Sequence, residues 1–259
     1  MVDRAVAERV AAGMVAAWRA RVSHIEGHAL YEHDGIVTAL SGLPDPELSV
    51  SLVEREPTDP LEALARAEWW FDRHGGQLGI DVELGRHPSV DRALQTMGLA
   101  LVVSRPAMVL EIGELEPGRP VEGLEIARVV APRELAEMVR IETVGFGTAP
   151  AVAARMLAPS ALERPDVRLF LARLDGEAVG MAYVHVHERA LGVFGVATVP
   201  DRRRRGIGTA VTEHAVRMSS PGADLAWLQP SEMGRPVYGS MGFRAIAEWQ
   251  VWIRRRPRT

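Results

Sequence analysis

One stretch, residues 193–218 (VFGVATVPDRRRRGIGTAVTEHAVRM), constrains the fold of this chain more than any other. An apolar run reads as a strand as far as Pro200. Asp201 and four arginines follow, and Gly206-Ile207-Gly208-Thr209 then opens an amphipathic helix. Glycines let a backbone turn tightly and let a ligand approach without a Cβ in the way. The first turn of a helix presents N–H groups with no intrahelical acceptor, at the positive end of the helix dipole. Together these features make an anion site suited to phosphate, and the arginines add a positive field. A Walker loop is excluded, because it ends in Gly-Lys-Ser/Thr and the chain has no lysine. A dinucleotide fingerprint fails at its third glycine, where Val211 stands, and the strand follows a hairpin rather than opening a parallel unit. The pattern that remains is R-x-x-G-x-G, met by Arg203, Gly206 and Gly208.

Composition sets the outer limits. A chain of 259 residues is long for one core and comfortable for two domains. Hydrophobic residues at 47% and charged residues at 25% describe a globular protein. A net charge of −4 gives no global basic field to recruit nucleic acid. Cysteine is absent, which excludes disulfides, thiolate catalysis and Cys-ligated zinc and fits a reducing cytoplasm. The amino terminus alternates charge with alanine and reads as a helix rather than a signal peptide, and no apolar run reaches membrane-span length. The lack of lysine and asparagine, with abundant Arg, Ala and Gly, suits a bacterial genome rich in G and C.

Periodicity predicts a mixed α/β order in two halves. In the first, helices are expected over 3–23, 60–73 and 89–97. Strands are expected over 29–31, 36–39, 48–54, 78–83, 100–103 and 108–112. Residues 111–123 (EIGELEPGRPVEG) carry neither period and read as a linker, dividing the chain into domains 1–115 and 120–259. In the second half, strands are expected over 124–128, 168–174, 178–187, 191–199, 224–229 and 245–253. Helices are expected over 132–142, 149–157, 207–218 and 235–241. Asp175-Gly176 between two apolar runs is a hairpin signal. A weak internal repeat joins the halves. Thr96-Met97-Gly98-Leu99 resembles Ser240-Met241-Gly242-Phe243 at an offset of 144 residues, and that offset lays 60–73 over 204–217.

The R-x-x-G-x-G turn resembles the coenzyme A pyrophosphate loop of the GNAT superfamily of acetyl-CoA-dependent N-acyltransferases. Residues 231–243 (SEMGRPVYGSMGF) look like that family's second signature, in the right order and separation. The resemblance covers about 120–259. It implies a GNAT-type mixed, mostly antiparallel sheet flanked by helices, and the repeat extends this to two tandem GNAT-like halves. By position it assigns Val196, Ala197 and Thr198 to the strand that pairs with the pantetheine arm and acetyl carbonyl. Arg203, Arg204, Arg205, Gly206, Ile207, Gly208 and Thr209 fall in the pyrophosphate loop. Ser231 stands where the family often has asparagine, and Tyr238 corresponds to the tyrosine that faces the cofactor sulfur.

The implied reaction is direct attack of a primary amine on a thioester, with acetyl-CoA as cofactor. Backbone N–H groups of 196–198 would polarise the carbonyl, and Tyr238 would protonate the departing thiolate. Some relatives carry a glutamate on the strand matching 224–229, but Leu225-Ala226-Trp227-Leu228 holds no acid. His185, His187, Glu188, Glu142 and Glu232 are the candidate bases, beside a water chain. His185 and His187 share a strand face, yet a His-x-His metal site lacks a third ligand and no metal is expected. By the resemblance, residues 144–150 would line the acceptor side, and they name no substrate. The basic tail, 254–258, reads as solvated. The expected function is an N-acetyltransferase for a small-molecule or protein amine, acting as monomer or homodimer. The alternative is a non-catalytic coenzyme A-binding sensor or regulatory module. The first half lacks the turn glycines, since Glu62 and Leu64 stand at the positions of Gly206 and Gly208, and Leu94 stands at that of Tyr238. Residues 54–62 hold one arginine against four acids where 198–206 hold four arginines against one. No cofactor site is expected there.

Overall fold

A computed structural model describes residues 4–43 and 48–254. The tail at 255–258, read above as solvated, lies outside them. The chain divides into two compact units, one reaching to Ala107 and resuming at Ile246, the other Met108–Ala245.

The first unit opens with α1 (Arg4–Ser23), then β1 (Ala29–His33), β2 (Ile36–Leu40) and β3 (Val50–Val53). It continues with α2 (Pro60–Arg73), β4 (Gly79–Glu83), α3 (Pro88–Thr96) and the start of β5 (Ala100–Glu111). The start of α2 is set locally: Asp59 accepts the Glu62 N–H at 3.1 Å, and Pro60 fixes φ at the first helical position. Its inner face, Ala63, Leu64, Ala67, Trp70 and Phe71, packs into a core with Ile80, Val82, Leu94 and Trp252. Trp69, which the sequence leaves side by side with Trp70 and Phe71, is 50% exposed with Arg73 over its ring. Strand order is β1-β2-β3-β4-β11-β5, where β11 (Arg244–Ile253) is the last strand of the chain.

The second unit takes the end of β5 and then β6 (Leu124–Arg128), α4 (Pro132–Phe146) and α5 (Pro150–Met156). A meander of β7 (Val167–Leu174), β8 (Glu177–His187) and β9 (Ala190–Thr198) follows, then α6 (Ile207–Ser219), β10 (Leu225–Leu228) and α7 (Arg235–Ser240). Its strand order is β5-β10-β9-β8-β7-β6, antiparallel except for β9 beside β10. Asp175 and Gly176 both have positive φ, 52° and 85°, as a two-residue hairpin turn requires. Core residues such as Met138, Phe170, Ala182, Val211, Ala226 and Phe243 join sheet and helices.

The units are built alike. In each, a strand pairs in parallel with the strand that follows a helix, β3 with β4 and β9 with β10. Shifted by 144, α3 ends on the last residue of α7, Ser240. Each unit also takes its next strand from the other stretch of chain: β4 pairs with β11, and β10 pairs with β5. The contact-defined units therefore run differently from a cut at 115–120. Two elements are longer than the sequence suggests. The strands expected at 100–103 and 108–112 form one strand, because the φ of Pro106 suits extended backbone and the strand changes partners just beyond it. Helix α4 continues a turn past Glu142 and stops at Gly147, whose φ is 79°.

Candidate active site

Strands β8 and β9 pair regularly from His187↔Ala190 to Tyr183↔Phe194, then resume at Met181↔Ala197. Three steps on β9 face two on β8, a β-bulge at Gly195 and Val196. Gly195 has φ 57°, and a Cβ there would lie 2.4 Å from the Tyr183 ring. On its other edge β9 pairs with β10 only at Ala190, Leu191 and Gly192. From Val193 to Thr198 the strand is open on that side. The bulge and the open edge leave backbone donors and acceptors of Val196, Ala197 and Thr198 facing a gap between two strands.

The turn after β9 leads to the head of α6. A short 3-10 turn, Pro200–Arg202, is followed by Arg204 at φ 61° and Gly206, the helix cap, at φ 82°. The first intrahelical bond is Ala210 N–H to Gly206 C=O, so the N–H groups of Ile207, Gly208 and Thr209 precede it. A Cβ on Gly208 would lie 3.7 Å from Thr198 Oγ1, so the glycine keeps the space beside the strand end free. Arg204 and Arg205 are exposed, whereas Arg202 pairs with Glu177 at 3.4 Å and Asp201 at 3.6 Å. Arg203 turns inward: its Nε donates to Thr198 C=O at 3.1 Å and its Nη2 to Gly145 C=O at 2.9 Å. Its guanidinium ties the turn to the end of β9 and the end of α4. Donors, open backbone and exposed cations thus lie along one line, an arrangement suited to an elongated anion.

Tyr238 sits on α7 with its ring edge-on to Phe243 at 5.8 Å. Burial pushes its hydroxyl up to about 12, with a hydrogen bond to Thr212 on α6 opposing. It therefore stays protonated at neutral pH and can donate. The Ser231 hydroxyl accepts the Gly234 N–H at 3.2 Å in the turn ahead of α7.

The face of the meander opposite α6 carries His185 and His187 and packs against α4, which bears Glu142, while Glu188 lies in the turn between β8 and β9. Gly145 of α4 approaches Ala197, a Cβ there lying 3.0 Å from the alanine's. One turn back, about 4.5 Å of rise, Glu142 is buried and accepts the Thr148 hydroxyl at 3.0 Å. His185 is also buried. Its Nε2 meets Asp166 at 3.1 Å, and burial holds its pKa below the ordinary histidine value despite that carboxylate. It lies four residues along β8 from Met181, the partner of Ala197, or about 13 Å at strand rise. That is too far for direct proton transfer at Ala197. His187 lies farther along the same strand, and Glu232 is exposed ahead of α7. Among the described residues no three His, Asp or Glu side chains gather in a metal-ligand group.

Sequence reasoning did not single out the wall beside the bulge. Tyr183 stacks on Phe194 at 5.4 Å, and Phe194 meets Trp227 edge-on at 5.2 Å. The signal present was Phe194-Gly195, an aromatic followed by a glycine inside a strand, which marks a bulge. The inward role of Arg203 had no sequence signal, since four consecutive arginines look alike.

Residues 165–245 match the family model of the acetyltransferase (GNAT) domain. A GCN5-related N-acetyltransferase from Kribbella flavida superposes with a TM-score of 0.78 at 23% identity, over 97% of this chain and 96% of that one. A tandem GNAT protein from the clavulanic acid biosynthesis pathway superposes with a TM-score of 0.64 at 17% identity, over 91% and 86%. A GCN5-related N-acetyltransferase from Sphaerobacter thermophilus gives 0.63 at 17% identity, over 90% and 84%. None of the curated proteins compared with the chain matches it. At these identities the solved structures speak to fold. The second unit thus contains a stretch that matches the acetyltransferase (GNAT) domain, and over nearly its whole length the chain has the fold of these GCN5-related structures.

Proposed function

We propose that the protein is an N-acetyltransferase that moves an acetyl group from acetyl-CoA to a primary amine. The observation that carries this reading is the open, bulged edge of β9 running into the glycine-framed head of α6. The residues fit the coenzyme as described: the first turn of α6 with Arg204 and Arg205 would hold the pyrophosphate, and Val196–Thr198 the arm. Acetyl-CoA, when bound, supplies the activated acyl group. The Val196 N–H, freed by the bulge, polarises a carbonyl placed there. Glu142 takes the proton that the amine releases as its nitrogen bonds to the acyl carbon. Tyr238 gives its proton to the sulfur as the carbon–sulfur bond breaks, and regains one from water.

The first unit lacks such a site in this reading. Its loops after β3 and β4 are joined where the second unit is open. Glu56 meets His87 Nδ1 at 2.8 Å and also accepts from the Ser89 hydroxyl. His87 is the counterpart of Ser231 at the 144-residue offset. The test is calorimetric titration with acetyl-CoA, followed by thiol release over a panel of amines. One coenzyme per chain, lost in Gly206→Asp, together with thiol release on an amine, is expected. Binding unchanged in that variant sinks the site, and binding without thiol release for any amine favours a coenzyme A sensor.

A further inference from the structure

The stretch between β5 and β6 is not a free tether. The Leu115 carbonyl accepts from Arg217 Nη2 at 3.4 Å, in the last turn of α6. The Gly118 N–H donates to Glu213 Oε2 at 2.8 Å, and a Cβ on Gly118 would lie 2.8 Å from Thr209 Cγ2. Val121 Cγ2 lies 3.3 Å from where a Cβ on Gly206 would be. The segment thus runs back along α6 from its last turn to its cap. Arg119 stands between Gly118 and Val121, level with the first turn. It is exposed, makes no ion pair among the described residues, and Pro120 restricts its backbone to extended conformations.

The side of the helix matters. Gly208 looks toward Thr198, and the next residue, Thr209, meets Gly118; successive residues on a helix are about 100° apart. The segment therefore lies on a different side of the first turn from β9. An arm laid on β9 leaves by one side of the pyrophosphate, and the nucleotide leaves by the other. Resting on the acetyl-CoA reading above, we propose that Arg119 binds the 3′-phosphate of the coenzyme's adenosine. The linker is then part of the cofactor site and sets a preference for the phosphorylated nucleotide.

The test uses the full chain, titrated calorimetrically with acetyl-CoA and with 3′-dephospho-acetyl-CoA at low salt. An exposed guanidinium–phosphate contact is modest and screened by salt, and Glu122 nearby offsets part of it. Arg119→Ala should weaken acetyl-CoA binding about three- to tenfold and leave the dephospho thioester unchanged, with Arg119→Lys in between. The wild-type protein should prefer acetyl-CoA by the same factor. If Arg119→Ala binds both thioesters as the wild type does, while Gly206→Asp loses them, Arg119 has no such role and the cofactor site stands. If the wild type binds neither, the cofactor reading itself fails.

Discussion

At the scale of single residues, protonation state separates the roles. Tyr238 is held in its neutral form by burial, which suits a donor and rules out a base at neutral pH. Tyr238→Phe should lower turnover about a hundredfold or more, as loss of general acid help does, while the Kd for acetyl-CoA moves little. Equal loss of both, or of neither, would make the ring a packing group. In the first unit Asp81 is fully buried against Arg105 at 2.7 Å, and burial pushes its carboxyl up to about 6. A raised carboxyl pKa means the folded state favours the proton. Its contribution to stability is full below about pH 4 and is lost as pH rises through about 6. A shift of that size corresponds to roughly 2–3 kcal/mol. Urea midpoints of wild type and Asp81→Asn, compared from pH 4 to pH 7, should move in the variant's favour; parallel curves would count against the coupling.

At the scale of elements, the β9 bulge shapes the candidate site. Gly195→Ala must resolve a 2.4 Å approach to Tyr183 at a positive φ, which should cost roughly 2–4 kcal/mol. A thermal melt several degrees lower is expected, and an unchanged melt would mean the ring swings aside freely. Much of this level was legible in the sequence. Pro60 placed α2, Asp175-Gly176 placed the β7–β8 turn, and Gly206 and Gly208 placed the head of α6, because each is a local backbone requirement. The bulge was not, because register depends on the neighbouring strand. Nor was the pairing of β11 with β4, for alternation says which face a residue takes and not which strand lies beside it. Among the candidate bases, alternation put His185 and His187 together correctly, but only the β8–β9 register shows how far they lie from Ala197.

At the scale of the whole molecule, the first unit depends on a strand that comes last. Trp249 is 2% exposed and Trp252 packs on that unit's core, both on β11. A chain ending at Ala245 should lose amide-exchange protection on β4 while β8 and β9 keep theirs; full protection at β4 would mean that β11 is dispensable. Among the described residues no helix is long and apolar enough to cross a membrane. The late strand also bears on how the protein is made. Asp81 pairs with Val251, 170 positions further on. Every strand of the second unit is translated before β11. The usual amino-terminal-first order of domain folding is therefore inverted, and the nascent first unit waits with β4 as an unpaired edge, the kind of surface that chaperones shield.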